Sequence, residues 1–351
     1  MTQPFDIEAA GFGDFIRALR EVGYFPVDLN ALISAHRTLR AMAKSEAGNA
    51  VSTIILDGPP GVGKSYMAQS ISKMLASAYL QYNCHPDSSS EELIRDINIE
   101  APVLAQSGFA TQAFTKEDLY IYGPIYDAIR RSQTEKVVLL IDEIDKARPA
   151  VDALLLGFLN DGYISVQGLD DNNGVKKLAC NPANLLVVIT KNDERDLHPA
   201  LLRRGRVVYM DYPPAEVEAQ ILKEIAGIGQ EAATSLITQA NKLRKNSNIT
   251  KPPSPPELVR LALDFKDVLD KDVHEETKAD GSKKLLCGVP RDVLNKNFYN
   301  GMLAKYEEQS LGRKLVKDKS AGTALLHAML RDKGGSGSIR FIETQALRRG
   351  K

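Results

Sequence analysis

Residues 51–66 read Val51-Ser52-Thr53-Ile54-Ile55-Leu56-Asp57-Gly58-Pro59-Pro60-Gly61-Val62-Gly63-Lys64-Ser65-Tyr66. The first six are mostly apolar and predict a strand. After the loop, Met67, Ile71, Met74, Leu75 and Ala78 recur at three- and four-residue spacing, which predicts a helix. Strand, glycine loop, helix start is the context in which G-x-x-x-x-G-K-[ST] has a mechanism. Glycines let successive backbone N–H groups turn inward around a phosphate chain. The helix N-terminus adds partial positive charge at the same point. Gly58, Pro59, Pro60, Gly61, Val62 and Gly63 would form the cradle. Lys64 would reach the outer phosphates, and the Ser65 hydroxyl could ligate Mg²⁺.

A second stretch, Val137-Val138-Leu139-Leu140-Ile141-Asp142-Glu143, has five consecutive apolar residues, as a parallel strand buried on both faces requires. Two carboxylates at its C-terminal end are expensive there without a cation. Ligands of parallel α/β sheets sit at the carboxyl ends of strands. Asp142 is therefore the candidate for the Mg²⁺ shell, and Glu143 for orienting and deprotonating a water that attacks the γ-phosphate. A plain helix start, with Asp-Glu ahead of Asp145-Lys146, is the alternative.

The length of 351 residues predicts about two domains. The chain is 43% hydrophobic and 26% charged, ordinary for a globular protein with a sizeable core. Lys+Arg and Asp+Glu both number 45, so nothing global points to nucleic acid or an anionic membrane, although a local basic channel stays open. Cys84, Cys180 and Cys287 are odd in number and far apart, which argues against a disulfide framework or zinc site and fits a reducing cytoplasm. No apolar run approaches a membrane span, and the acidic start lacks the basic-then-apolar pattern of a leader.

Around these stretches, residues 1–50 predict helices broken at Gly23-Tyr24-Phe25-Pro26-Val27, a segment that could cover a nucleotide base. Ala78–Asn83 predicts a strand, 97–123 an insertion, and Gly123-Pro124 a helix start. Residues 162–178 predict a β-hairpin, and Asn184–Thr190 another buried strand ending in Lys191-Asn192-Asp193. An arginine cluster and a short strand, Val207–Met210, follow. Pro213-Pro214 marks a boundary, beyond which the pattern is helical throughout. Lys271–Lys284 reads as a flexible charged loop. Gly334-Gly335-Ser336-Gly337-Ser338 opens a mobile tail.

This series resembles the AAA+ ATPases over about residues 25–310, with 58–65 and Ile141-Asp142-Glu143 as Walker A and Walker B motifs. Within them it is similar to the MoxR-like group. Gln81–Asp87, Gly123-Pro124-Ile125, the hairpin 162–178, Ser254-Pro255 and Val289–Val293 carry that likeness. The resemblance implies an α/β fold: a P-loop parallel sheet sandwiched by helices, then a smaller all-helical lid domain. The expected divisions are an N-terminal segment 1–24, a core 25–212, a lid 213–330 and a flexible basic tail 331–351.

The likeness also implies roles. Asn192 would be the sensor of the γ-phosphate or the attacking water, and Tyr66 would border the nucleotide. Either Arg203 with Arg206, or Arg204, would reach a neighbour's ATP with the planar fork that spreading phosphate charge needs. The lid's usual sensor arginine falls at Pro256; Arg260, on the same helix face, is the substitute unless the lid lacks one. The function implied is a ring of identical subunits, hexameric, that hydrolyses ATP with Mg²⁺ and remodels a protein partner such as a von Willebrand factor A domain protein. Residues 97–123 and 162–178 would face the central channel. The alternative is an AAA+ motor acting on nucleic acid, which the neutral charge disfavours. A monomeric phosphotransferase or a non-hydrolysing scaffold leaves Glu143, Asn192 and the arginines unexplained.

Overall fold

The computed structural model describes residues 5–46, 48–98, 120–167, 175–247, 249, 251–277, 283–303, 320–334 and 339–342. It divides into two compact units, Met1–Asp211 and Tyr212–Lys351.

The first unit opens with α1 (Phe12–Glu21) and α2 (Leu29–Ala43), then β1 (Ser52–Asp57), α3 (Lys64–Leu75) and β2 (Ala78–Asn83). Next come α4 (Ser90–Ile94), β3 (Arg95–Ile97), β4 (Tyr120–Tyr122), α5 (Pro124–Ser132) and β5 (Val137–Asp142). A 3₁₀ turn (Ile144–Lys146) leads to α6 (Pro149–Asp161), β6 (Tyr163–Gln167), β7 (Val175–Ala179), β8 (Leu185–Lys191), α7 (Pro199–Leu202) and β9 (Arg206–Tyr209). Five strands form one parallel sheet in the order β2-β5-β8-β1-β9.

Burial follows that order. Every residue of β8 is buried, as are five of six in β5, because both strands are central. The edge strands β2 and β9 are mostly half-buried or exposed. This is why the central strands are continuous apolar runs whereas the edges carry polar residues. Register then sets the chemistry. Asp57 lies beside Lys191, and Ile141 beside Ile189, so Asp142 at the end of β5 adjoins Thr190 on β8. The loop leaving β1 opens at the same edge of the sheet.

The expected insertion leaves and returns through an antiparallel ribbon, with Arg95 opposite Tyr122. Residues 99–119 between its arms lie outside the described residues. The expected hairpin is β6 paired antiparallel with β7, Tyr163 opposite Ala179; its tip, 168–174, also lies outside them.

The second unit contains α8 (Ala215–Ile221), continued by a π turn (Leu222–Ala226), then α9 (Gln230–Arg244), α10 (Pro255–Lys271), β10 (Val273–Thr277), β11 (Lys283–Cys287), α11 (Arg291–Met302), α12 (Ala321–Asp332) and β12 (Ile339–Phe341). Its helices pack Leu236, Leu258, Phe265, Phe298 and Leu325 into one core. Here the sequence expectation needs correction. The unit is helical but not all-helical: β10, β11 and β12 form a three-stranded sheet. Part of the supposed flexible loop 271–284 is β10 and the start of β11, and part of the supposed mobile tail is β12. The reason is alternation at short range. Cys287 is fully buried, and Leu285, Ile339 and Phe341 pack against the core, so a few inward positions hold strands whose opposite face, with His274, Glu276, Lys284 and Arg340, is mostly polar.

Candidate nucleotide site

The loop after β1 needs its glycines. Gly58, Gly61 and Gly63 have φ of +138°, +77° and +97°, values that side chains disfavour. A Cβ on Gly58 would also lie 2.0 Å from the Met210 carbonyl oxygen. The loop wraps Lys64, whose Nζ donates to Gly58 O (2.6 Å), Pro59 O (2.8 Å) and Asn192 Oδ1 (2.8 Å). All three acceptors are neutral. Lys64 is 5% exposed. Burial pushes its pKa down to about 8, opposed in part by the carboxylates of Asp57, Asp142, Asp145 and Glu143. A buried cation held only by neutral oxygens is set up to receive an anion.

Beside it, Ser65 Oγ donates to Asp142 at 2.8 and 3.0 Å. Thr190 Oγ1 donates to Asp142 Oδ1 at 2.5 Å, and Gln81 Nε2 lies 3.4 Å from Oδ2. The Thr190 hydroxyl also accepts from Glu143 N at 2.8 Å. The start of α3 and the two strands that flank β5 thus converge on one carboxylate.

Glu143 itself has φ +54° and ψ +49°, left-handed for a residue with a Cβ. Such a conformation costs about 1–3 kcal/mol and clusters at functional sites. It turns the chain off β5, and the side chain is held from two sides. Asn192 Nδ2 donates to Oε1 at 2.7 Å and Lys146 Nζ to Oε2 at 2.5 Å. Asn192 therefore bridges Lys64 and Glu143 through the two ends of one carboxamide.

Lys64, Ser65, Asp142, Glu143 and Asn192 are brought together. Thr190, Lys146, Asp145, Arg195 and Asp152 belong to the same construction but were not singled out from sequence. In the sequence Asp145-Lys146 shows only as a plain helix start; the burial of Asp145 is what gives it a role. Thr190 carried a signal only once the β5–β8 register was known.

Other expected residues stand apart. Tyr66 is 43% exposed; its ring stacks on Tyr24 at 5.9 Å between centroids, and its hydroxyl donates to Gly23 O at 3.0 Å. That ties the 23–27 segment to the start of α3. Arg203, Arg204 and Arg206 are exposed, and among the described residues their side chains have no hydrogen bond or ion pair. Arg260 is an exposed residue of α10 in the second unit.

A five-stranded parallel sheet with a glycine loop after β1, an acidic end on β5 and an asparagine after β8 defines a P-loop nucleotide-binding domain. Residues 53–205 match the family profile described as AAA domain (dynein-related subfamily). Over that stretch the chain is similar to the AAA domains of the AAA+ ATPases. An uncharacterised protein of Staphylococcus haemolyticus is 25% identical over 224 residues, 63% of this chain and 79% of its own. One from Staphylococcus aureus is 24% identical over 219 residues, 62% of this chain and 77% of its own. Among solved structures, a mutant of Thermotoga maritima RuvB superposes with a TM-score of 0.41 at 19% identity. It covers 69% of this chain, and this chain spans 63% of its length. Among the described residues no helix is long and apolar enough to cross a membrane.

Proposed function

We propose that this protein binds ATP with Mg²⁺, hydrolyses it, and works as a MoxR-like hexameric ring that remodels or activates a protein partner. The observation that carries the reading is the Asn192 bridge between Lys64 and Glu143, beside the Ser65–Asp142 pair. Lys64 takes the outer phosphates, exchanging neutral acceptors for an anion. Ser65 and Asp142 fit Mg²⁺, one hydroxyl and one carboxylate oxygen already in contact, as a hard cation bound through few protein ligands prefers. The ion would neutralise phosphate charge. Glu143 accepts the proton of the attacking water, and Asn192 orients that water and the γ-phosphate.

Arg203 with Arg206, or Arg204, serves the ATP of a neighbouring subunit; their exposure without partners among the described residues supports an acceptor in another chain. Arg260 is the second unit's candidate sensor. The β6–β7 hairpin and the segment carried by β3 and β4 are the partner-facing elements. The hairpin leaves directly from α6, whose Asp152 is bonded to Arg195 of the Asn192 turn. A von Willebrand factor A domain protein is the partner class proposed.

The test compares Glu143→Gln with Lys64→Ala. Glu143→Gln keeps ATP binding and stops phosphate release; Lys64→Ala weakens binding. Glu143→Gln turnover at the wild-type rate removes the reading. Glu143→Gln also traps the working complex, and recovering it from its host distinguishes a protein partner from nucleic acid.

A further inference from the structure

Two short turns meet behind the site, and neither uses the nucleotide-facing groups to do so. Asp145 is 4% exposed, and its Oδ2 accepts from Asn192 N at 2.9 Å and Glu194 N at 2.8 Å. Between those two donors Asp193 has φ +72°, so the chain reverses around the carboxylate. Asp145 Oδ1 is buried without a partner, so among the described residues the side chain's hydrogen bonding goes wholly to this turn. From the other side, Arg195 Nε donates to Ala147 O at 2.9 Å and Nη2 to Ile144 O at 3.2 Å. The same guanidinium grips Asp152, which is 3% exposed, with a fork of 2.9 and 2.6 Å. Asp152 in turn accepts from His198 N at 3.1 Å.

We infer that Asp145 and Arg195 are positioning residues that lock the Asn192 turn to the Glu143 turn as one rigid piece. The inference rests on the roles proposed above for Glu143 and Asn192. Its physical content is preorganisation. A carboxamide that must meet Lys64 and Glu143 at once has little tolerance for drift, and a displacement of about 1 Å can cost about 10²-fold in rate. Backbone amides fixed on both sides of Asp193 remove that drift, and the arginine closes the piece from α6. The function needs the hydrogen-bond acceptor at position 145, not its charge.

The experiment uses the full-length protein. Hydrogen exchange reads the amides of Asn192 and Glu194, while kcat and KM for ATP are measured in parallel. In Asp145→Ala both amides lose protection, kcat falls about 10²-fold and KM stays within about threefold. In an Asn192→Ala background the same change costs nothing further, because Asp145 acts through Asn192. Asp145→Asn, which keeps the acceptor, restores protection and turnover. Unchanged protection in Asp145→Ala, equal losses in both backgrounds, or an Asp145→Asn as impaired as Asp145→Ala each overturn the inference. If Asp145→Ala does not fold, Arg195→Lys, which keeps the charge and loses the fork, goes through the same cycle. Wild-type turnover in Glu143→Gln would sink the hydrolytic assignment, while amide protection would still decide whether Asp145 holds the turn.

Discussion

Asn192 Nδ2 lies 2.7 Å from Glu143 Oε1 while its Oδ1 takes a hydrogen bond from Lys64 at 2.8 Å. One side chain thus spans the cation that would face phosphate and the carboxylate that would face water. Asn192→Ala removes a donor and an acceptor but leaves Lys64 its two backbone partners. Turnover should fall about 10²-fold, the usual cost of deleting one aimed hydrogen-bonding group. ATP affinity should change little. Rapid-quench hydrolysis beside equilibrium binding checks it, and wild-type turnover would remove Asn192 from the mechanism.

Thr190 offers a sharper contrast between variants. It is fully buried, accepts from Glu143 N and donates to Asp142. Thr190→Val keeps the shape and strips both bonds, leaving the Glu143 N–H unpaired. The expected loss is about 1–3 kcal/mol of stability together with reduced turnover. Thr190→Ser should keep both near wild type. Urea unfolding with paired rate measurements decides, and equal behaviour of Val and Ser would show that the hydroxyl does nothing.

How much of this could be read in advance depends on range. Lys64, Ser65, Asp142 and Glu143 sit in short stretches whose strand-then-loop context is local, so the sequence displays them. Asn192 stands out only through the family resemblance, which assigns a role to one of the three polar residues that end the buried run. Thr190, Asp145, Arg195 and Asp152 were hidden because their meaning lies in the β5–β8 register and in contacts between turns more than forty residues apart. The C-terminal sheet was hidden for another reason. Val273-His274-Glu275-Glu276-Thr277 is an edge strand in which the last four residues are exposed, and charge there resembles a loop.

Lys64 makes a pH prediction. Its pKa is lowered from 10.5 to about 8, first by burial. An incoming triphosphate stabilises the protonated form, so ATP binding above about pH 8 takes up a proton, and affinity falls as pH rises through that window. Fold stability has the opposite sign. Between about 8 and 10.5 the unfolded chain holds this proton and the ligand-free fold does not, so Lys64's contribution rises with pH. Calorimetry in two buffers of different ionisation heat measures the uptake. Lys64→Arg, which stays charged, should show none. A wild type without uptake in that window would contradict the burial of the cation.

The exposed arginines should act in trans. Arg203→Ala with Arg206→Ala, or Arg204→Ala, should leave ATP affinity intact and lower turnover about 10³-fold, the lower range for such a group. Mixing the inactive arginine variant with inactive Glu143→Gln should restore hydrolysis, since each subunit supplies what its neighbour lacks. Sedimentation with a slowly hydrolysed analogue reports the ring directly. A monomer under saturating analogue, or no recovery on mixing, counts against the assembly.

In the second unit, Arg244 and Glu218 form a buried fork at 2.9 and 2.7 Å, with side chains 7% and 1% exposed. Arg244 also donates to Pro253 O at 2.8 Å and lies 4.2 Å over the Tyr212 ring, so one guanidinium ties α8, α9 and the approach to α10 together. Removing one partner strands the other charge. Arg244→Met should cost about 3–5 kcal/mol because the Glu218 carboxylate stays buried without its cation. Replacing both by methionine should recover most of that loss, since well-packed apolar pairs often equal a buried ion pair. Urea unfolding of the full chain, followed by a probe on the second unit, measures all three variants. An Arg244→Met within about 1 kcal/mol of wild type would mean the pair is effectively solvated, as surface pairs are.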